Sequence, residues 1–251
     1  MVKTLDDQTD GYPGALDSLD EDALRQLQQR YWDYLRDRRP DLADGRQVID
    51  KLPLNLIHLG LIFRAFPDAR VLVALRDPRD VCISCFANNF TPSRATVQFL
   101  DLERTARTHA AVMALWQRYR EILPLKTYAY RYEDLVASPR EELCRIVEFL
   151  GLPWHDDVLE GGRNSAGTYI ATPSYVSVAE PINTRAVARW KNYADNLAPS
   201  CRCCSHSSRI SGMLKRPQQK PRKVAAAAHL LVSTGTAIAT HRPILIAGSG
   251  E

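Results

Sequence analysis

The sequence predicts an α/β fold with a parallel sheet, and two observations carry that expectation. Val71-Leu72-Val73-Ala74-Leu75 is a continuous apolar run of strand length without alternation, which suits a strand covered on both faces. Shorter strand-like segments, Val48-Ile49 and Thr127–Tyr132, stand apart from it with helical periodicity between them, and strands that alternate with helices build parallel sheets.

The elements follow in order. Residues 1–17 are polar and turn-rich and predict an irregular lead-in. Ser18-Leu19-Asp20-Glu21 has capping-box spacing, and Leu24, Leu27, Tyr31, Tyr34 and Leu35 then recur at helical spacing to about Arg38. Lys51 closes the Val48-Ile49 strand, and Pro53 opens a helix through Phe66. The buried strand Arg70–Leu75 runs into a charged turn, Arg76-Asp77-Pro78-Arg79-Asp80, and helix resumes over Val81–Phe90. A long helix is predicted over Asp101–Ile122 and a strand over Thr127–Tyr132. Ser138-Pro139-Arg140-Glu141 is a second capping box, and Gly151 ends the helix it opens.

The totals limit the function classes. Of the 33 basic residues only eight lie beyond Leu197, but they face one acid there, Glu251. Residues 1–195 therefore carry 25 basic against 28 acidic side chains, and this slightly acidic body argues against a nucleic-acid footprint. The start lacks an apolar run behind a basic region, and Val224–Thr240 is too weakly apolar for a spanning helix. A cytoplasmic protein without a membrane span is expected. Cys82 and Cys85 stand three apart inside an apolar helical pattern, so core packing is the ordinary reading. Cys201, Cys203 and Cys204 have no His or Cys pair behind them at zinc-site spacing, and no metal is expected. From residue 198 to 251 periodicity and acids disappear, which predicts a disordered or non-native tail behind a domain of residues 18–197.

Strand, charged turn, helix is the geometry in which a helix N-terminus receives an anion. Arg76 falls at the carboxyl end of the buried strand, where ligands collect in open α/β sheets, and its planar fork suits phosphate. Ser84 on the next helix offers a hydroxyl. The competing reading is an ordinary solvated turn with an Arg–Asp pair.

The ordered motifs Asp50-Lys51-Leu52-Pro53, Phe66-Pro67-Asp68-Ala69-Arg70-Val71 and Arg76-Asp77-Pro78-Arg79-Asp80-Val81-Cys82-Ile83-Ser84 resemble the bacterial sulfotransferases often linked to tetratricopeptide repeats. They are more distantly similar to tyrosylprotein sulfotransferases. The resemblance continues through Arg131-Tyr132-Glu133-Asp134-Leu135, Phe149-Leu150-Gly151-Leu152-Pro153-Trp154 and Thr172-Pro173-Ser174 to Arg189-Trp190, over roughly residues 10–197.

This resemblance implies a P-loop-like sulfotransferase fold that binds PAPS (3′-phosphoadenosine 5′-phosphosulfate) and moves its sulfuryl group to a hydroxyl on a peptide, sugar or small molecule. It implies that Arg76 and Ser84 hold the 3′-phosphate, that Tyr132 lies beside the nucleotide, and that Lys51 stands close to the transferred group. Arg189, Thr172 and Ser174 match positions around the nucleotide. Ser177 and Glu180 depart from the pattern, which commonly has Gln and Gln or Lys there. The family's first strand and its Pro-Arg-Ser-Gly-Thr-type loop, which cradles the 5′-phosphosulfate, have no match among these 251 residues, and neither has the general base. An N-terminally truncated chain with impaired transfer is therefore expected. The alternatives are a remnant that only binds adenosine 3′,5′-bisphosphate and, with the Walker lysine loop missing, a P-loop kinase relative.

Overall fold

The computed structural model describes residues 1–7, 10–38, 47–88, 90–159 and 182–197, and the backbone of 240–248. Its centre is a four-stranded parallel sheet of β1 (Gln47–Lys51), β2 (Arg70–Leu75), β3 (Lys126–Arg131) and β4 (Thr240–Gly248), in the spatial order β1-β4-β2-β3. The predicted parallel α/β architecture is thus present.

β2 explains why its sequence lacks alternation. Val71, Val73 and Leu75 face Leu56, Leu59, Ile62, Met113 and Trp116, whereas Leu72 packs against Ile146 and Leu150 on the opposite side. Helices therefore cover both faces: α4 (Leu59–Ala65) and α6 (Leu102–Ile122) on one, α8 (Pro139–Leu150) on the other. Expulsion of water from both faces of one strand is the main hydrophobic term in this core.

The expected helix over residues 54–66 is split. Pro53–His58 is a 3₁₀ helix, with Asn55 N–H bonded to Leu52 O at 2.9 Å, and the α-helix begins only at Leu59. α5 (Pro78–Ala87) starts three residues earlier than predicted, because Pro78 occupies its first position and the Asp77 side chain caps Arg79 N–H at 2.9 Å. α3 (Glu21–Arg38) is capped by Asp20, whose carboxylate accepts from Ala23 N–H at 2.8 Å. Ser18 turns back to Ala15 O instead, so the expected capping box does not form. Ser138 likewise makes no capping bond, although α8 opens at Pro139 as predicted.

Two segments depart further from expectation. The lead-in of residues 1–17 contains α1 (Val2–Asp6) and the short turn α2 (Gly11–Gly14). Leu5 and Ala15 join Leu19, Leu27 and Leu61 in a second small core, and the Arg64 guanidinium binds the carbonyls of Leu16 and Leu19. These apolar residues are too unevenly spaced to show a helical period, but tertiary packing orders them. The second segment lies beyond residue 197, where Thr240–Gly248 forms β4, between β1 and β2. A proline is unfavourable in a central strand, because it cannot donate to the ladder. The β1–β4 register, however, shifts between the Gln47–Thr240 and Ile49–Ile244 pairs, so Pro243 falls in an irregularity where a missing N–H is tolerated. Residues 198–239 and 249–251 lie outside the described residues.

His109 of α6 has both ring nitrogens buried, and neither has a hydrogen-bond partner among the described residues. Burial lowers its pKa to about 4, against the opposing pull of the Asp77 charge. Between pH ~6.5 and ~4 the unfolded chain holds a proton that the folded chain does not, so stability falls as pH falls through this window, by on the order of 3 kcal/mol. Urea titrations at pH 7 and pH 4 should show that loss in the wild type and a smaller one in His109→Phe. Equal losses in both proteins refute the assignment.

Gly151 closes α8 in the left-handed conformation, at φ 65°, with Leu152 N–H bonded back to Val147 O at 3.1 Å. An alanine Cβ there would stand 2.6 Å from Nη1 of Arg70, whose guanidinium binds Leu150 O. Gly151→Ala should cost about 1–2 kcal/mol, read as a lower urea midpoint with unchanged slope.

Candidate functional site

The carboxyl ends of the parallel strands deliver Lys51 from β1, Arg76 just beyond β2 and Tyr132 just beyond β3 to one edge of the sheet. Tyr132 opens α7 (Tyr132–Ala137). The Arg76 guanidinium lies 5.0 Å from the centre of the Tyr132 ring and donates to Ala186 O at 2.6 Å. The Tyr132 hydroxyl in turn meets Asn183 O at 3.4 Å. Three chain segments more than fifty residues apart thus converge on one guanidinium. Its Nε is buried and has no partner among the described residues. An unmet buried donor beside an aromatic face suits an anion attached to a planar base.

The turn at the start of α5 is more committed than its sequence suggests. Arg79 grips Asp77 with two bonds, Nε to Oδ1 at 2.9 Å and Nη2 to Oδ2 at 2.6 Å. Burial opposes ionisation of Asp77, but the Arg79 bonds and charge outweigh it and hold the carboxyl below its usual range. Asp77 also occupies the Arg79 N–H, so the first turn of this helix is not an open anion cradle. The Asp77 N–H is taken as well, by Glu133 at 2.7 Å. Beside this turn, Nε of Arg76 is the buried donor that has no partner among the described residues.

Asp80 is the residue that the sequence concealed. It is 1% exposed and accepts from two backbone N–H groups far along the chain, Ala188 at 2.9 Å and Trp190 at 2.7 Å. Burial raises its pKa, while those two N–H groups and the Arg76 charge oppose the rise. The Trp190 ring lies under the Arg79 guanidinium at 3.5 Å. Asp80 and Arg79 thereby fasten residues 186–190 over Arg76. Nothing local predicted this, because an acid in the first turn of a helix is ordinary.

The predicted site residues therefore divide into groups. Arg76 and Tyr132 are in direct contact. Arg189 is exposed, but its neighbours Ala188 and Trp190 anchor it to the same assembly. Ser84 is half-buried on α5, two turns beyond Pro78. Lys51 is exposed at the same sheet edge, with β4 between its strand and β2. Thr172, Ser174, Ser177 and Glu180 lie outside the described residues. Cys82 and Cys85 are buried in α5, as core packing requires. Burial pushes the Cys85 thiol up to about 11. Among the described residues no group of three or more His, Cys, Asp or Glu side chains is arranged to hold a metal, and no helix is long and apolar enough to cross a membrane.

Residues 4–156 match the model of the sulfotransferase family. An uncharacterized protein of Aquifex aeolicus is 31% identical over 192 residues, which span 75% of this chain and 24% of that protein. The protein-tyrosine sulfotransferase of Drosophila melanogaster is 26% identical over 153 residues, 57% of this chain and 30% of its own length. Protein-tyrosine sulfotransferase 2 of Gallus gallus is 24% identical over 155 residues, 58% and 40%. The chain thus spans less than half the length of these relatives. The family match covers more than half of the chain, and the chain belongs to the sulfotransferase family.

Proposed function

We propose that this chain binds the adenosine 3′,5′-bisphosphate part of PAPS and serves sulfuryl transfer to a hydroxyl. The observation that carries the reading is the Arg76 guanidinium, with a buried unpartnered Nε beside the Tyr132 ring, at the carboxyl edge of a parallel sheet. In this reading Arg76 and Ser84 hold the 3′-phosphate and Tyr132 flanks the adenine nucleotide. By the family resemblance, Arg189, Thr172 and Ser174 are further proposed ligands of the nucleotide. Lys51 offers its ammonium to the phosphate oxygen that leaves.

The transfer is an in-line exchange. The acceptor oxygen forms a bond to sulfur as the bond between sulfur and the 5′-phosphate oxygen breaks, and the acceptor proton passes to a base. Charge grows on the departing phosphate, so the protein's contribution is to position the reactants and neutralise that charge. The protein-tyrosine sulfotransferases among its relatives suggest a phenolic acceptor.

Binding is tested by melting the protein with and without adenosine 3′,5′-bisphosphate. At a ligand concentration of about 100 times Kd the stabilisation is about 2.7 kcal/mol, or roughly 5–10 °C for a chain of this size. Arg76→Ala should abolish the shift. Identical melting of wild type and variant, with and without ligand, refutes the phosphate site. Release of adenosine 3′,5′-bisphosphate from PAPS in the presence of a tyrosine peptide then separates transfer from binding alone.

Asp80→Ala should leave the Ala188 and Trp190 N–H groups unmet and cost about 2–4 kcal/mol. It should also raise the nucleotide Kd by freeing residues 186–190. An unchanged urea midpoint contradicts the anchoring role.

A further inference from the structure

β1 and β2 do not touch as strands; each is bonded to β4. Ile246 pairs with Lys51 on one side and with Leu72 on the other, so Lys51 and Leu72 stand level across two strand spacings. Arg76 lies four residues beyond Leu72, about 13 Å further along the strands and about 10 Å across from Lys51. The strands thus set the spacing between the Lys51 and Arg76 backbones along the carboxyl edge. Gly248 pairs with Ala74, which brings the end of β4 to the same edge, between them.

We infer that Thr240–Gly248 is the positioning strand of this site: it fills a strand-wide slot between β1 and β2, and its backbone ladder sets the distance between Lys51 and Arg76. The occupant is the chain's own C-terminal segment. The ligand side of this inference rests on the nucleotide reading above, whereas the strand's place in the sheet does not. Over Ile244–Gly248 the strand lies between two ladders, so its N–H groups are committed to one neighbour or the other. An empty slot would leave one edge of β1 and one edge of β2 unpaired, at a cost for each buried group that goes without a partner.

The two parts of the inference are tested separately in the full-length protein. Leu245 pairs with Asp50 and Val71. Leu245→Pro removes a ladder donor and adds a ring, whereas Leu245→Val keeps the backbone intact. Hydrogen exchange read by mass spectrometry should be at least tenfold faster over residues 47–51 and 70–75 in Leu245→Pro than in Leu245→Val or the wild type. Equal protection in all three overturns the strand assignment. Because the proline variant is prone to misfolding, a second pair of substitutions tests the register directly. Ala74→Cys with Gly248→Cys places two thiols on paired residues, within reach of a disulfide. Oxidation should join these two positions within one chain, as peptide mapping reports. Failure to form that bond overturns the register, and a bond that links two chains overturns the same-chain assignment. Finally, the melting shift with adenosine 3′,5′-bisphosphate should vanish in Leu245→Pro and persist in Leu245→Val. A wild type that shows no shift defeats the nucleotide reading and leaves the exchange result to decide the strand; a shift retained in Leu245→Pro defeats the positioning role alone.

Discussion

β2 is bonded along both edges and covered on both faces, and the rest of the structure depends on that condition. Its edges pair with β3 and β4, and its faces meet α4 and α6 on one side and α8 on the other. A strand so enclosed cannot shift by one residue without exchanging its two apolar faces and mispairing two ladders together. Its carboxyl end is therefore a fixed point. Arg76 leaves that point at a set position, and the α5 turn, Tyr132 and residues 186–190 are all referred to it.

Around that point, charge is arranged as a chain of commitments rather than as a loose basic patch. Arg79 is spent on Asp77 and Trp190, Arg131 lies 3.4 Å from Glu133, and Asp80 is spent on two backbone N–H groups. Neutralisation of Asp77 and Glu133 by neighbouring arginines lowers the repulsion that an incoming phosphate would meet. The guanidinium left with a buried unmet donor is that of Arg76, which is why the ligand chemistry is assigned there.

What the sequence revealed follows from the range of the interactions involved. β2, the start of α8 and its stop at Gly151 were legible because a continuous apolar run, a proline at the first helical position and a left-handed glycine all act within a few residues. The places of Arg76 and Tyr132 at the ends of two strands were legible through ordered motifs. The role of Asp80 was hidden because its partners lie 108 and 110 residues away. The second small core was hidden because its members come from five separated positions between Leu5 and Leu61. β4 was concealed by Pro243 and by the polar, alanine-rich stretch before it, neither of which reports the unpaired edges of β1 and β2 that receive the strand.

The position of β4 also has a consequence in time. Ile246 follows its partner Leu72 by 174 residues, so the centre of the sheet is completed long after β2 has been made. At roughly 5–20 residues per second, β2 would wait on the order of ten to thirty seconds on the ribosome with one edge open. Parallel pairing at such separation is intrinsically slow and leaves an adhesive edge exposed meanwhile. Synthesis of this protein is therefore expected to depend on chaperones, however stable the finished sheet is.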